Sequence, residues 1–164
     1  MIILGIDPGL ATLGFGIVSY DNVKAHMVDY GVLSTKAGVP LPARLSSLFE
    51  GISDLLARHQ PDDIAIEELF FNTNVTTAIA VGEARGAVIA ACAAYSPNIF
   101  EYTPLQIKQA ITGYGRADKQ QVQMMVKMLL SLQKTPKPDD AADALAVAIC
   151  HAHSLRMREN YRMK

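Results

Sequence analysis

The chain of 164 residues carries 15 basic and 16 acidic side chains, a formal net charge of −1, and half of its residues are hydrophobic. That balance fits one soluble globular domain with a sizeable core. No apolar run approaches the roughly 18 residues that span a bilayer, and Met1-Ile2-Ile3-Leu4 lacks a basic leader and a cleavage site, so neither a membrane segment nor a signal peptide is expected. Cys92 and Cys150 lie in apolar helical contexts and are expected as reduced core residues, which suits a cytoplasmic protein.

Ile2 to Ile6 is a short apolar run that predicts a buried strand, closed by Asp7-Pro8-Gly9. Leu13 to Tyr20 predicts a second strand. Asp21-Asn22 is a turn signal, and alternating Val28, Tyr30 and Val32 predict a third. Pro40 and Pro42 mark a loop, after which Leu45, Leu48, Phe49, Ile52, Leu55 and Leu56 keep helical spacing as far as Pro61. Ile64-Ala65-Ile66 is a fourth strand, ending in Glu67-Glu68. Thr76 to Tyr95 predicts an Ala- and Gly-rich helix, with Ala78, Gly82 and Gly86 in one row. Such a row suits either packing on the sheet or a helix pair across a homodimer. Ile99 to Tyr102 is a fifth strand and Pro104 opens a helix. Asp118 and Gln121 have capping-box spacing for the next. After Pro136 and Pro138 a last helix carries Asp140 and Asp143.

Tightly connected strands pair antiparallel, and strands separated by helices add in parallel through crossovers. The expectation is an α/β fold: a mixed five-stranded sheet, three strands antiparallel and two parallel, with helices on both faces. Residues 1–153 form the single domain, and the basic tail 154–164 is expected to fray.

Asp140 and Asp143 are three apart, hence on one helical face, and Val147 extends that face one turn on. Two carboxylates on an apolar face call for a counter-charge, most simply a metal ion. Asp7 ends the first strand and Glu67 or Glu68 the fourth, at the carboxyl ends where ligands gather in crossover sheets. Four such acids around one point would select Mg²⁺ or Mn²⁺. Two ions could then support phosphodiester cleavage. Singly each acid has an ordinary role: Asp7 in a turn, Glu67 on a strand end, Asp139 and Asp140 as helix caps. No Cys/His cluster has zinc spacing, and His151 and His153 are expected as ordinary surface or partly buried residues.

Charge is unevenly spread. Residues 104–138 hold six bases (Lys108, Arg116, Lys119, Lys127, Lys134, Lys137) against Asp118 alone, whereas 1–103 hold eleven acids and five bases. A basic stretch beside an acidic cluster suits a polyanion held next to a metal site. On charge alone, a set of solvated helix faces is the better reading.

Gly5-Ile6-Asp7-Pro8-Gly9 with Gly14-Phe15-Gly16, then Ala65-Ile66-Glu67, then Asp140-Ala141-Ala142-Asp143-Ala144-Leu145-Ala146 resemble the RuvC-type Holliday junction resolvases of bacteria, over residues 2 to about 153. The opening motif alone is shared with sugar and acetate kinases of the related actin-like fold, whose second domain this short chain has no room for. The resemblance implies a ribonuclease-H-like fold, a homodimer, and Mg²⁺-dependent symmetric nicking of four-way junction DNA in recombination and repair, alongside a branch-migration motor. It implies Asp7, Glu67, Asp140 and Asp143 as ligands of two ions. It leaves Asp139 as the helix cap. It also implies Lys108 and Lys119 near the scissile phosphate, with Phe70 as a base contact. Arg116, in the same basic stretch, is a further candidate for DNA binding. The alternative on the same fold is a protein that binds branched DNA without cutting it.

Overall fold

The computed structural model describes residues 1–69, 75–96 and 98–164, with the side chains of 75–77 left aside. The strands are β1 (Ile2–Asp7), β2 (Thr12–Tyr20), β3 (Ala25–Ser34), β4 (Asp63–Glu67) and β5 (Ile99–Tyr102). The helices are α1 (Leu41–His59), α2 (Val75–Tyr95), α3 (Pro104–Thr112), α4 (Lys119–Leu129) and α5 (Asp139–Ser154). The sheet order is β3-β2-β1-β4-β5. β1, β2 and β3 form an antiparallel meander, and β4 and β5 join parallel to β1. This is the ribonuclease-H-like mixed sheet expected from the sequence.

Strand alternation divides the core in two. Leu4, Ile6, Ile17, Ile64 and Ile66 pack with Leu48, Ile52 and Leu56 of α1 and Val88 and Cys92 of α2. Ile3, Val18, Ala65, Phe100 and Tyr102 pack with α3, α4 and α5 on the other face. The same alternation turns Gly5 and Asp7 with Ile3, and Glu67 with Ala65, towards α5. Cys92 and Cys150 are buried and free, and burial pushes both thiols up to about 12.

α5 is the central helix of its layer, with Ala141, Ala142, Ala144, Ala146 and Ala148 all buried. It lies directly on β1 and β2 because Gly5, Gly14 and Gly16 leave room for its backbone. A Cβ on Gly5 would overlap the Ala144 carbonyl oxygen, and one on Gly14 would overlap that of Asp140. Glycine is required here for close backbone approach, a use of Gly inside strands that weakens the strand locally.

Two expectations change. Pro42 stands in the first turn of α1 and not in a loop, since proline costs nothing where the amide has no helical partner. The 18 residues Ala78–Tyr95 are long and apolar enough, by length and composition, to cross a membrane; this helix instead packs along α1 and the sheet. The basic tail lies along the sheet edge. Leu155–Tyr161 form a 3₁₀ helix, Arg162 bridges Phe100, and the Met163 amide donates to the Ile99 carbonyl at 2.9 Å. The tail thus covers the open edge of β5, which would otherwise expose unpaired backbone groups.

Candidate active site

Asp7 and Glu67 end neighbouring parallel strands, one step beyond the paired Ile6 and Ile66. Asp7 is opposite Gly14 in the β1–β2 register, and Gly14 is where the Asp140 backbone rests on the sheet. The glycine beneath α5 therefore brings Asp140 beside Asp7. Asp143, one turn on, faces Glu67 across a cleft of about 290 Å³ lined also by Lys108, Lys119, Pro104, Ile107, Val122 and Ala146.

The electrostatics report crowding. Burial, then the charges of Asp143 and Asp140, push Asp7 up to about 6. Burial, then the charges of Asp7 and Asp143, push Glu67 up to about 8, while Lys108 opposes the rise. Asp7 and Glu67 also share a side-chain hydrogen bond, which raises Glu67 and lowers Asp7. Burial and mutual repulsion thus favour one proton held between the two carboxylates. Burial also raises Asp143, against the pull of Lys119.

Lys119 supplies the positive charge. Its Nζ lies 2.9 Å from Asp143 Oδ2 and 3.8 Å from Asp139 Oδ2, and the hydrogen bond to Asp143 raises its own pKa. A capping box positions it: the Asp118 carboxylate accepts from the Gln121 amide at 2.8 Å, and the Gln121 side chain accepts from the Asp118 amide at 2.9 Å. α4 therefore starts at Lys119, as the spacing of Asp118 and Gln121 predicts. A second box, Thr103 with Gln106, starts α3 and brings Lys108 to the cleft one turn later. Arg116 is exposed on the α3–α4 connection. Phe70 lies outside the described residues.

Asp139 is not a side-chain cap. Pro138 holds the N-cap position of α5 without a side-chain bond, and the Asp139 carboxylate is 2.6 Å from Lys137 Nζ. The neighbouring ammonium groups win over the helix amides, and the Lys137 bond holds Asp139 below its usual value. His151, expected at or near the surface, is wholly buried and bonded to Asp63 and Tyr102. Neither Asp63 nor Tyr102 was singled out from the sequence, because a strand-start acid and a strand-end tyrosine carry no distinctive spacing.

Among the described residues, no group of three or more His, Cys, Asp or Glu side chains is arranged to hold a metal ion as it stands. The Lys119 ammonium, 2.9 Å from Asp143, stands where a counter-charge is called for. The donor set is nonetheless all carboxylate oxygen, the chemistry that hard divalent cations take.

Comparisons with known proteins agree with this geometry. Residues 3–151 match the family model described as crossover junction endodeoxyribonuclease RuvC. The crossover junction endodeoxyribonuclease RuvC of Alkaliphilus metalliredigens is 54% identical over 164 residues, covering 100% of both chains. That of Clostridioides difficile is 53% identical over 162 residues, covering 99% of this chain and 96% of the relative. The solved structure of Thermus thermophilus RuvC superposes with a TM-score of 0.87 at 37% identity, covering 96% of each chain. The same protein in complex with a Holliday junction substrate superposes at 0.86 and 36% identity, again covering 96% of each chain. By its motifs, its sheet and its close relatives over the full length, the chain belongs to the RuvC family of crossover junction endodeoxyribonucleases.

Proposed function

We propose that Asp7, Glu67, Asp140 and Asp143 form the centre at which this chain nicks two symmetric strands of a four-way DNA junction. The observation that carries the reading is the mutual crowding of Asp7, Glu67 and Asp143, expressed in the raised pKa values of the first two. Like charges are gathered at such expense chiefly where a cation is to be held. The four acids would hold Mg²⁺, with Mn²⁺ as a substitute, at two ions per site. Bound there, divalent ions supply a water nucleophile at neutral pH and charge stabilisation for the departing oxygen. Holding them would call for Asp7 and Glu67 both in their charged forms and for Lys119 to turn from Asp143.

The chain's own groups then handle the DNA. Lys119, once released, faces the cleft with Lys108, and the two ammonium groups would flank the scissile phosphate and offset its developing charge. Arg116, exposed on the α3–α4 connection, would contact backbone phosphate further out. The products would be a 5′-phosphate and a 3′-hydroxyl. Phe70 follows Glu67 closely in sequence and remains the proposed base contact.

Two cuts require two centres, which a two-fold homodimer supplies. The outward face of α2 supports one: Cβ atoms added to Gly82 or Gly86 would meet nothing within 4 Å, and Ile79 is 64% exposed. The row of small residues noted in the sequence is thus not packed on the sheet, and is free to receive a second helix. Cooperation with a branch-migration motor in recombination and repair completes the reading.

A nicking assay on a synthetic four-way junction, with linear duplex as control, tests it. Mg²⁺-dependent paired nicks on the junction alone are expected. Intact junction binding without Mg²⁺-dependent nicking would favour a non-cleaving junction binder. Sedimentation at micromolar concentration tests the dimer.

A further inference from the structure

His151, at the far end of α5 from the acids, has 0% exposure and uses both ring nitrogens. Nε2 lies 2.9 Å from Asp63 Oδ2, and Nδ1 lies 2.9 Å from the Tyr102 hydroxyl. Asp63 is 1% exposed, and Arg158 of the tail reaches the same Oδ2 at 2.6 Å. With its proton on Nε2, the imidazole donates to Asp63 and accepts from the tyrosine O–H, so every polar atom of the ring is satisfied. Phe100 lies against the imidazole at 4.6 Å between ring centroids, and Tyr161 against Tyr102 at 4.7 Å.

A buried ionic cluster adds little stability over an apolar core of the same volume, and its best-attested use is to set register. α5 meets β1 and β2 where Gly5, Gly14 and Gly16 admit its backbone, with Leu145 over Gly16 and with Ile3 and Val18 in the same buried cluster. Those contacts seat α5 on β1 and β2, and the polar cluster ties it to β4 and β5 as well.

The spacing of the cluster links its position to that of the acids. Asp143, Val147 and His151 stand on successive turns of one face of α5, and Asp63, Ala65 and Glu67 share one face of β4. The two elements run in opposite directions, so His151 meets Asp63 at one end while Asp143 meets Glu67 at the other. Eight helical residues rise about 12 Å, and four strand residues rise about 13 Å. Fastening His151 to Asp63 therefore sets Asp143 level with Glu67. Tyr102, the register partner of Glu67 in β5, ties the third element to the same imidazole.

We propose that His151 is a positioning residue for strand cleavage: its bonds to Asp63 and Tyr102 fix the register of α5 along β4 and so hold Asp143 opposite Glu67. This rests on reading the four acids as the cutting centre.

The test uses the full chain with His151→Leu, His151→Gln, Tyr102→Phe and Asp143→Asn. For each, the single-turnover cleavage rate at saturating junction is measured with the junction Kd in divalent-free buffer and the folded fraction by circular dichroism. His151→Leu is expected to lose about 10- to 100-fold in rate, the scale of a small misplacement of reacting groups, with Kd unchanged. His151→Gln is expected to recover much of that loss, because its amide can donate to Asp63 and accept from Tyr102. Should His151→Leu fail to fold, Tyr102→Phe deletes one hydroxyl, keeps the ring packing, and is expected to show a smaller loss of the same kind. A rate that tracks the folded fraction, a Kd that rises in step, or equal losses for Leu and Gln would each overturn the proposal. Full-rate cleavage by His151→Leu beside a dead Asp143→Asn would overturn the positioning role alone. Full-rate cleavage by Asp143→Asn would overturn the site and the positioning role together.

Discussion

Lys119 Nζ stands 2.9 Å from Asp143 Oδ2, joining the first residue of α4 to the second turn of α5 across the cleft that Glu67 also lines. Both partners keep contact with solvent, at 51% and 25% side-chain exposure, so the pair is no strong structural clamp. On the proposed reading its value is poise: the cation beside Asp143 would be available to DNA where a metal took its place. Lys119→Ala is expected to leave the fold and melting temperature nearly unchanged and to slow single-turnover cleavage by about 10²-fold, the usual scale for one electrostatic stabiliser. Lys119→Arg is expected to recover part of the rate in the same assay.

Asp7→Asn is expected to abolish nicking while leaving junction binding intact. It should also raise the metal-free melting temperature at pH 8, because one member of a like-charge cluster is gone. A pair of charges at ~4 Å is worth up to about 4 kcal/mol at an effective dielectric of 20, and each kcal/mol moves a chain of this size by about 2–4 °C. Calorimetry of the metal-free protein reads the shift, and a fall in melting temperature would count against crowding.

The pH dependence of metal-free stability has a definite sign. Folding raises Asp7 from 3.8 to about 6 and Glu67 from 4.5 to about 8. Between those limits the folded chain binds more protons than the unfolded chain, so this pair's contribution to stability falls as pH rises and reaches its least favourable value above about 8. Denaturant titrations at pH 5.5 and 8.5 are expected to show the loss, and Glu67→Gln should flatten it. Saturating Mg²⁺ should flatten it as well, because a cation replaces the proton.

Gly14→Ala places a methyl group against the Asp140 carbonyl oxygen. Overpacking of this kind costs about 1–3 kcal/mol, and relief requires α5 to lift from β2, carrying Asp140 away from Asp7. Cleavage is therefore expected to fall further than the melting temperature alone explains, read as single-turnover rate per folded molecule.

Junction binding is expected to weaken steeply with salt, since phosphate contacts release condensed counterions. Lys108→Ala and Arg116→Ala should each lower the slope of log K against log[salt] by about 1. Fluorescence anisotropy across a salt series, in divalent-free buffer, measures both.

Much of this was legible along the chain. Short apolar runs and turn residues marked five strands, and the short links between β1, β2 and β3 made them antiparallel. The Asp140–Asp143 spacing put both acids on one helical face, and Asp118 with Gln121 marked where α4 begins. Spacing alone did not choose Glu67 over Glu68. The strand does so by alternation: Glu67 shares the α5-facing side with Ala65, and Glu68 follows the end of β4. The cap expected at Asp139 failed because Lys137 and Lys119 compete for its carboxylate, a contest that local spacing does not register.

Local chemistry, repeated along one dimension, is what the order of residues specifies: which segments curl, which extend, and which faces are apolar. That was enough for the sheet, for the motif acids and for the family. Three things needed the folded chain. Gly5 and Gly14 proved to be the floor on which α5 lies. The basic tail proved to be a cover for β5. His151 proved to be bonded to an acid 88 residues earlier in the chain. Each depends on a contact between residues far apart in sequence, and such contacts are set by how the layers pack once every local preference has been met.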